Sequence, residues 1–221
     1  MDIIIEQEIR DEAPWFKVVV VEADVLNHDT SDDLWQELLT EGNRIRKLYE
    51  MSDINKRSGI AATRRVYKAL GKEPNRYRPS SEALCRRLVK GMELYRTLTL
   101  IDLINLLSIR SGYSIGGFDA DKINGEILKL GVGREGEKFN AIGRGELNIA
   151  SLPIYRDSTG GIGTPTSDEE RTKLSESTTR LLMCINIYEE ELPVQETITY
   201  ATDLLMRYAS ASNIKVKIVT A

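Results

Sequence analysis

The spacing of apolar residues divides the chain into a strand-like beginning, a helical middle, a region of short strands and a helix-strand end. Residues 2–6 (DIIIE) and 15–25, which contain the β-branched run FKVVVVEADV, are strand candidates. They are expected to pair with each other or with the far C-terminus, where IKVKIVTA (214–221) alternates as a half-buried strand does. A sheet joining both ends implies one compact unit.

Between these lie four stretches of helical period. Leu34, Leu38, Ile45 and Leu48 place a helix over 31–50, with Asp32 or Asp33 as its cap. A second covers 58–70 and stops at Gly71, and a third starts at Pro79 with Ser80 or Ser81 and ends near Gly91. A fourth, about 99–110, carries Leu100, Ile101, Ile104, Leu107 and Ile109 and is terminated by Gly112. Beyond Gly112 the chain breaks into short apolar runs separated by glycine-rich turns, the pattern of an antiparallel β region. A last helix, 194–208, precedes the final strand. Strands, then helices, then strands favour an α+β fold with mixed or antiparallel sheets and flanking helices over a regularly alternating parallel sheet.

Composition narrows the class. The chain has 221 residues, 41% hydrophobic and 29% charged, with 6 prolines, as ordinary globular proteins do. No apolar run approaches the roughly 18 residues that span a bilayer, and MDIIIEQEIRDE lacks the basic and apolar regions of a signal peptide, so a cytoplasmic location is expected. Cys85 and Cys184 lie far apart and His28 is the single histidine, which argues against a disulfide framework or a His/Cys metal site. No cofactor is expected.

Charge is unevenly spread. The net value is −4, yet residues 41–96 hold 15 Lys/Arg against 6 Asp/Glu, a block of +9. Such a block fits either an electrostatic footprint for phosphates or internal pairing with acidic surfaces.

The common catalytic motifs are missing: there is no phosphate loop, no GxSxG elbow and no HExxH. GVGREG (131–136) follows no βαβ unit and reads as a hairpin turn. Two glycine turns exceed what a hairpin needs, SIGGFD (114–119) and STGGIGTPTSDEERT (158–172). The second gathers Thr164, Thr166, Ser167 and Asp168, whose side chains either cap local backbone or face a ligand. Both turns are open to two readings, tight connections or the edges of a backbone-lined pocket.

The succession LIDLINLLSIRSGYSIGGFDADKINGEILKL, the turn GGIG and RTKLSESTTRLLMCI resembles the tRNA-editing domain of the phenylalanyl-tRNA synthetase beta subunit, as a free-standing homologue. In that family a VDxTNY segment leads through an LGxPxHAFD turn to a strand, and an AGxMGG turn precedes SEVxxxT and a buried strand. Asp102 and Asn105 fall on the family's Asp and Asn, Gly112 on its Gly, and Phe118 and Asp119 on its Phe-Asp. Thr172, Leu174 and Thr178 fall on its Ser, Val and Thr, with Gly160 to Gly163 near the AGxMGG turn. The likeness covers 76–190. With a sheet joining both ends, a single domain over 1–221 is expected, with 1–75 and 191–221 as flanking extensions packed on that part.

By resemblance, the chain is a tRNA-binding, trans-editing hydrolase that clears mischarged aminoacyl-tRNA. The substrate pocket is then expected to comprise Asn105, Gly116, Gly117, Phe118, Gly160, Gly161, Thr164 and Cys184, and Arg64, Arg65, Arg78, Arg86 and Arg87 to meet the RNA. Two positions depart from the family. Its recognition histidine is replaced by Gly116 and its strand glutamate by Cys184. In that family the pocket hydrolyses tyrosine wrongly esterified to phenylalanine tRNA, and leaving the tyrosine hydroxyl unpaired would cost about 1–3 kcal/mol; a thiol is only a weak partner for it. The second reading is therefore a non-catalytic module binding an amino acid or similar small molecule on the same fold. Oligomeric state is not encoded in any of these motifs.

Overall fold

A computed structural model describes all 221 residues. In chain order the elements are β1 (Asp2–Ile5), α1 (Gln7–Glu12), β2 (Lys17–Asp24), α2 (Asp32–Leu48), α3 (Ser58–Ala69), α4 (Ser80–Val89) and α5 (Thr99–Ser111). The β region holds β3 (Ser114–Asp119), β4 (Ile127–Val132), β5 (Asn140–Ala141), β6 (Gly145–Glu146), β7 (Pro153–Arg156), β8 (Gly161–Gly163) and β9 (Arg180–Ile187). The chain closes with α6 (Val194–Ala209) and β10 (Ser212–Thr220). The class is α+β, with mixed and antiparallel sheets and flanking helices.

Two four-stranded sheets form the frame, in orders β1-β4-β7-β8 and β10-β2-β9-β3. Alternation along β2 explains how they are sandwiched. Val18 and Val20 point to a core shared with Ile3, Ile5, Leu128 and Leu130 of the first sheet, while Val19 and Val21 point to the helices. The apolar run FKVVVVEADV is thus covered on both faces. The helix-side core is the larger, built with Leu34, Leu38, Leu103, Leu107 and Leu204 from α2, α5 and α6.

A buried polar tie crosses between the sheets. Tyr155 Oη donates to Asn186 Oδ1 at 2.7 Å, and Asn186 Nδ2 donates to the Ser114 carbonyl at 2.9 Å. All three residues are buried, so each polar atom depends on the others.

Several sequence expectations change, and one of them is that SIGGFD (114–119) is not a turn but strand β3. Strand β1 pairs neither with β2 nor with the C-terminus; it lies parallel to β4, Ile3 opposite Leu128, because the first sheet needs an apolar edge strand on the shared core. Strand β10 does pair with β2, but as an edge strand, with Val216 and Ile218 40% and 47% exposed where half-burial was expected. GVGREG is no tight hairpin: Gly131 belongs to β4, whose antiparallel partner is β7, more than twenty residues on. The helix ends follow the local chemistry closely. Ser31 rather than either aspartate caps α2, its Oγ accepting the Leu34 N–H at 3.3 Å, and Gly112 ends α5 at φ 76°, a conformation that favours glycine.

Candidate functional site

The α5–β3 unit builds one wall of a cavity of about 400 Å³. From α5 come Ile101, Ile104, Asn105 and Ser108, four residues whose 3- and 4-residue spacing puts them on one helix face. Buried Asp102 anchors the start of that helix, its carboxylate accepting the Thr97 N–H at 2.9 Å, the Thr97 hydroxyl at 2.8 Å and the Thr30 hydroxyl at 2.6 Å. From β3 come Ile115 and Gly117. A Cβ on Gly117 would lie 2.5 Å from Ile104 Cδ1, so helix and strand approach this closely only because position 117 has no side chain.

The opposite wall is the turn after β8. Thr164 Oγ1 accepts the Thr166 and Ser167 N–H groups at 3.1 and 3.0 Å and donates to the Ser167 carbonyl, closing the loop on itself. The Pro165 carbonyl accepts the Ser80 N–H at 2.8 Å, tying the loop to the start of α4, which contributes Ser80 and Leu84 to the lining. Thus fixed, the loop presents Thr164, Ser167 and Asp168 to the cavity. Lys173 and Leu174 complete that side, the lysine held at 2.5 Å by Glu170.

Asp168 is the one carboxylate in the lining. Its Oδ2 accepts the Gly117 N–H at 3.2 Å. Burial pushes the carboxyl up to about 7, and the Gly117 bond offsets only part of that. Asn105 lines the same space.

Of the residues expected at a pocket, Asn105, Gly117 and Thr164 meet around this cavity; the others do not. Strand alternation is the reason on β3: Gly116 and Phe118 face the core between the sheets, opposite in direction to Ile115 and Gly117. Cys184 pairs with Gly116 across the β3–β9 ladder and is buried in that same core, where burial pushes its thiol well up. Gly160 sits in the β7–β8 turn, its N–H bonded to Asp157 Oδ1, and Gly161 packs on Ile154 and Phe139 in a third, smaller core. Asp168, Ser80, Ser108 and Lys173 were not selected from sequence. Only Asp168 gave a signal, as the acidic member of a Thr/Ser-rich turn.

The arginines also divide. Arg64 is buried, its guanidinium bonded to Glu82 at 2.8 Å, Asn75 at 2.7 Å and the Pro74 carbonyl, so it is no part of an exposed patch. Arg86 takes the other Glu82 oxygen at 2.7 Å. Arg65 is exposed and paired with Glu189. Arg87 lies on the Ser80–Leu84 side of α4, bonded to the Glu93 carbonyl with its guanidinium 4.2 Å over the exposed Tyr95 ring. Arg78 is exposed just before α4. No helix is long and apolar enough to cross a membrane, and no three His, Cys, Asp or Glu side chains converge as metal ligands.

A family model described as the B3/4 domain matches residues 62–211, about two thirds of the chain. The chain belongs to the B3/4 domain family. The fold of this B3/4 protein is also that of a solved N-terminal fragment of the phenylalanyl-tRNA synthetase beta subunit from Pyrococcus horikoshii, at TM-score 0.51 and 13% identity. That alignment covers 100% of this chain and 54% of the other, so the chain spans about half of that fragment. No curated protein matches the sequence. The B3/4 protein thus shares the fold of that phenylalanyl-tRNA synthetase beta-subunit fragment.

Proposed function

We propose that this B3/4 domain receives the aminoacyl end of a mischarged tRNA in the α5–β3 cavity and hydrolyses its ester, acting in trans. The observation that carries the reading is the meeting of Asn105, Gly117 and Thr164, from three separate segments, around one apolar-walled cavity of about 400 Å³. The aminoacyl side chain would lie against Ile101, Ile104 and Leu174. Water adds to the ester carbonyl, the bond to the ribose oxygen breaks, and the water proton passes to that oxygen, leaving free amino acid and deacylated tRNA. The Asn105 amide is suited to donate to the oxygen on which charge develops. Arg78, exposed just before α4, and Arg87, on α4, would meet the tRNA phosphates.

One observation favours the second reading, a non-catalytic module for an amino acid. Much of the +9 block is spent internally, with Arg64 and Arg86 on Glu82 and Arg57 on Glu191. Deacylation of a panel of mischarged tRNAs separates the two. Release of amino acid by the native protein, reduced at least tenfold in Asn105→Ala, supports the hydrolase. No release from any tRNA, together with a thermal shift given by a free amino acid, supports the module; a ligand at 100 times its Kd stabilises by about 2.7 kcal/mol.

A further inference from the structure

Asp168 has no role in the chemistry described so far, although it is the one carboxyl side chain in the cavity wall. Its location is unfavourable for a carboxylate. Oδ2 has a single neutral donor, the Gly117 N–H, and a Cβ on Gly163 would lie only 2.7 Å from Oδ1, so the carboxyl is packed against backbone. The cavity's one cation, Lys173, is committed to Glu170 at 2.5 Å. A shielded carboxylate without a counter-ion costs stability unless a cation is brought to it, and such groups cluster where ligands bind. The rest of the lining limits what that cation can be. Ile101, Ile104, Ile115, Leu84 and Leu174 make a wall that suits an apolar body, with the charge at one side of it.

We infer that Asp168 is a positioning residue that receives the α-ammonium of the bound aminoacyl group. The ligand class is an α-amino ester or amide with a free amino group and an apolar side chain. This assignment rests on the aminoacyl reading of the cavity and adds to it the group that sets the ligand's orientation. With the ammonium on Asp168 and the side chain on the isoleucine and leucine wall, the carbonyl carbon is held between two fixed points.

The test uses leucinamide and phenylalaninamide against their N-acetyl derivatives, with binding measured by calorimetry on the native protein and on Asp168→Asn. The native protein is expected to bind the free amines at least tenfold more tightly than the acetylated forms. Asp168→Asn should lose that preference while its melting temperature stays at or above the native value. Equal binding of free and acetylated amides by the native protein, no binding of either, or a preference retained in Asp168→Asn overturns the assignment. Deacylation of aminoacyl-tRNA and N-acetyl-aminoacyl-tRNA, run in parallel, tells the two proposals apart. Hydrolysis without amine preference leaves the hydrolase and removes Asp168's role, whereas amine preference without hydrolysis does the reverse.

Discussion

Gly116 and Cys184 stand directly opposite each other in the β3–β9 ladder and share one small space in the core between the sheets. These are the two positions at which the sequence departs from the editing-domain pattern, and their pairing makes the departures a single structural event. A Cβ on Gly116 would lie 2.6 Å from Phe118 Cζ, and Phe118 is fully buried, so the aromatic ring fills the room that a side chain at 116 would need.

Gly116→Ala is therefore expected to destabilise the fold by about 1–3 kcal/mol through overpacking against Phe118. Denaturant unfolding of the variant measures this. Unchanged stability would mean that Phe118 has another place to go.

Asp168 gives a pH signature. Its carboxyl stands near 7 in the folded chain against an ordinary value of 3.8, so between those values the native state holds a proton that the unfolded chain has released. The native protein's stability from this group is then fully present below about pH 4 and falls as pH rises towards 7. Lys173 lines the same cavity, and Tyr155 and Cys184 both feel the Asp168 charge, but none of these neutralises it. Asp168→Asn should match the native protein near pH 4 and exceed it at pH 8. Parallel unfolding curves across that range would contradict the sign.

The arginines of the basic block should separate by role. Glu82→Gln leaves buried Arg64 short of its counter-charge and should cost about 3–5 kcal/mol. Arg87→Ala should stay within about 0.5 kcal/mol of native stability but lower the salt slope of tRNA binding by about 1. Filter binding at several salt concentrations, beside thermal unfolding, distinguishes a folding arginine from an RNA-facing one.

Tyr155→Phe removes the donor to Asn186 Oδ1 and leaves a buried acceptor unpaired between the two sheets. A loss of about 1–3 kcal/mol is expected, since hydroxyl removal forfeits more than the bond's net worth when its partner stays dry. Chemical denaturation gives the value, and a neutral substitution would imply that Asn186 finds another donor.

How much of this was legible along the chain depends on the range of the interaction. The longer helices, such as α5 with its Gly112 stop and α2 with its polar start, were readable because caps and periodicity act within one or two turns. The α+β class and the family likeness around α5 and β3 came from the same local order. Pairing was not legible: β1 runs parallel to β4 because of a shared core with residues more than a hundred positions away. For the site, Asn105, Gly117 and Thr164 could be selected one by one from sequence, but not the fact that they surround one space. Whether a β3 glycine faces cavity or core turns on strand alternation set by the sheet, which sent Gly117 one way and Gly116 the other. The fate of Arg64 likewise depended on Glu82 in the next helix, since a charge reads the same in sequence whether it is solvated or buried against a partner. Asp168 became notable only when folding enclosed it, because desolvation is a property of the surrounding shell and not of the residue.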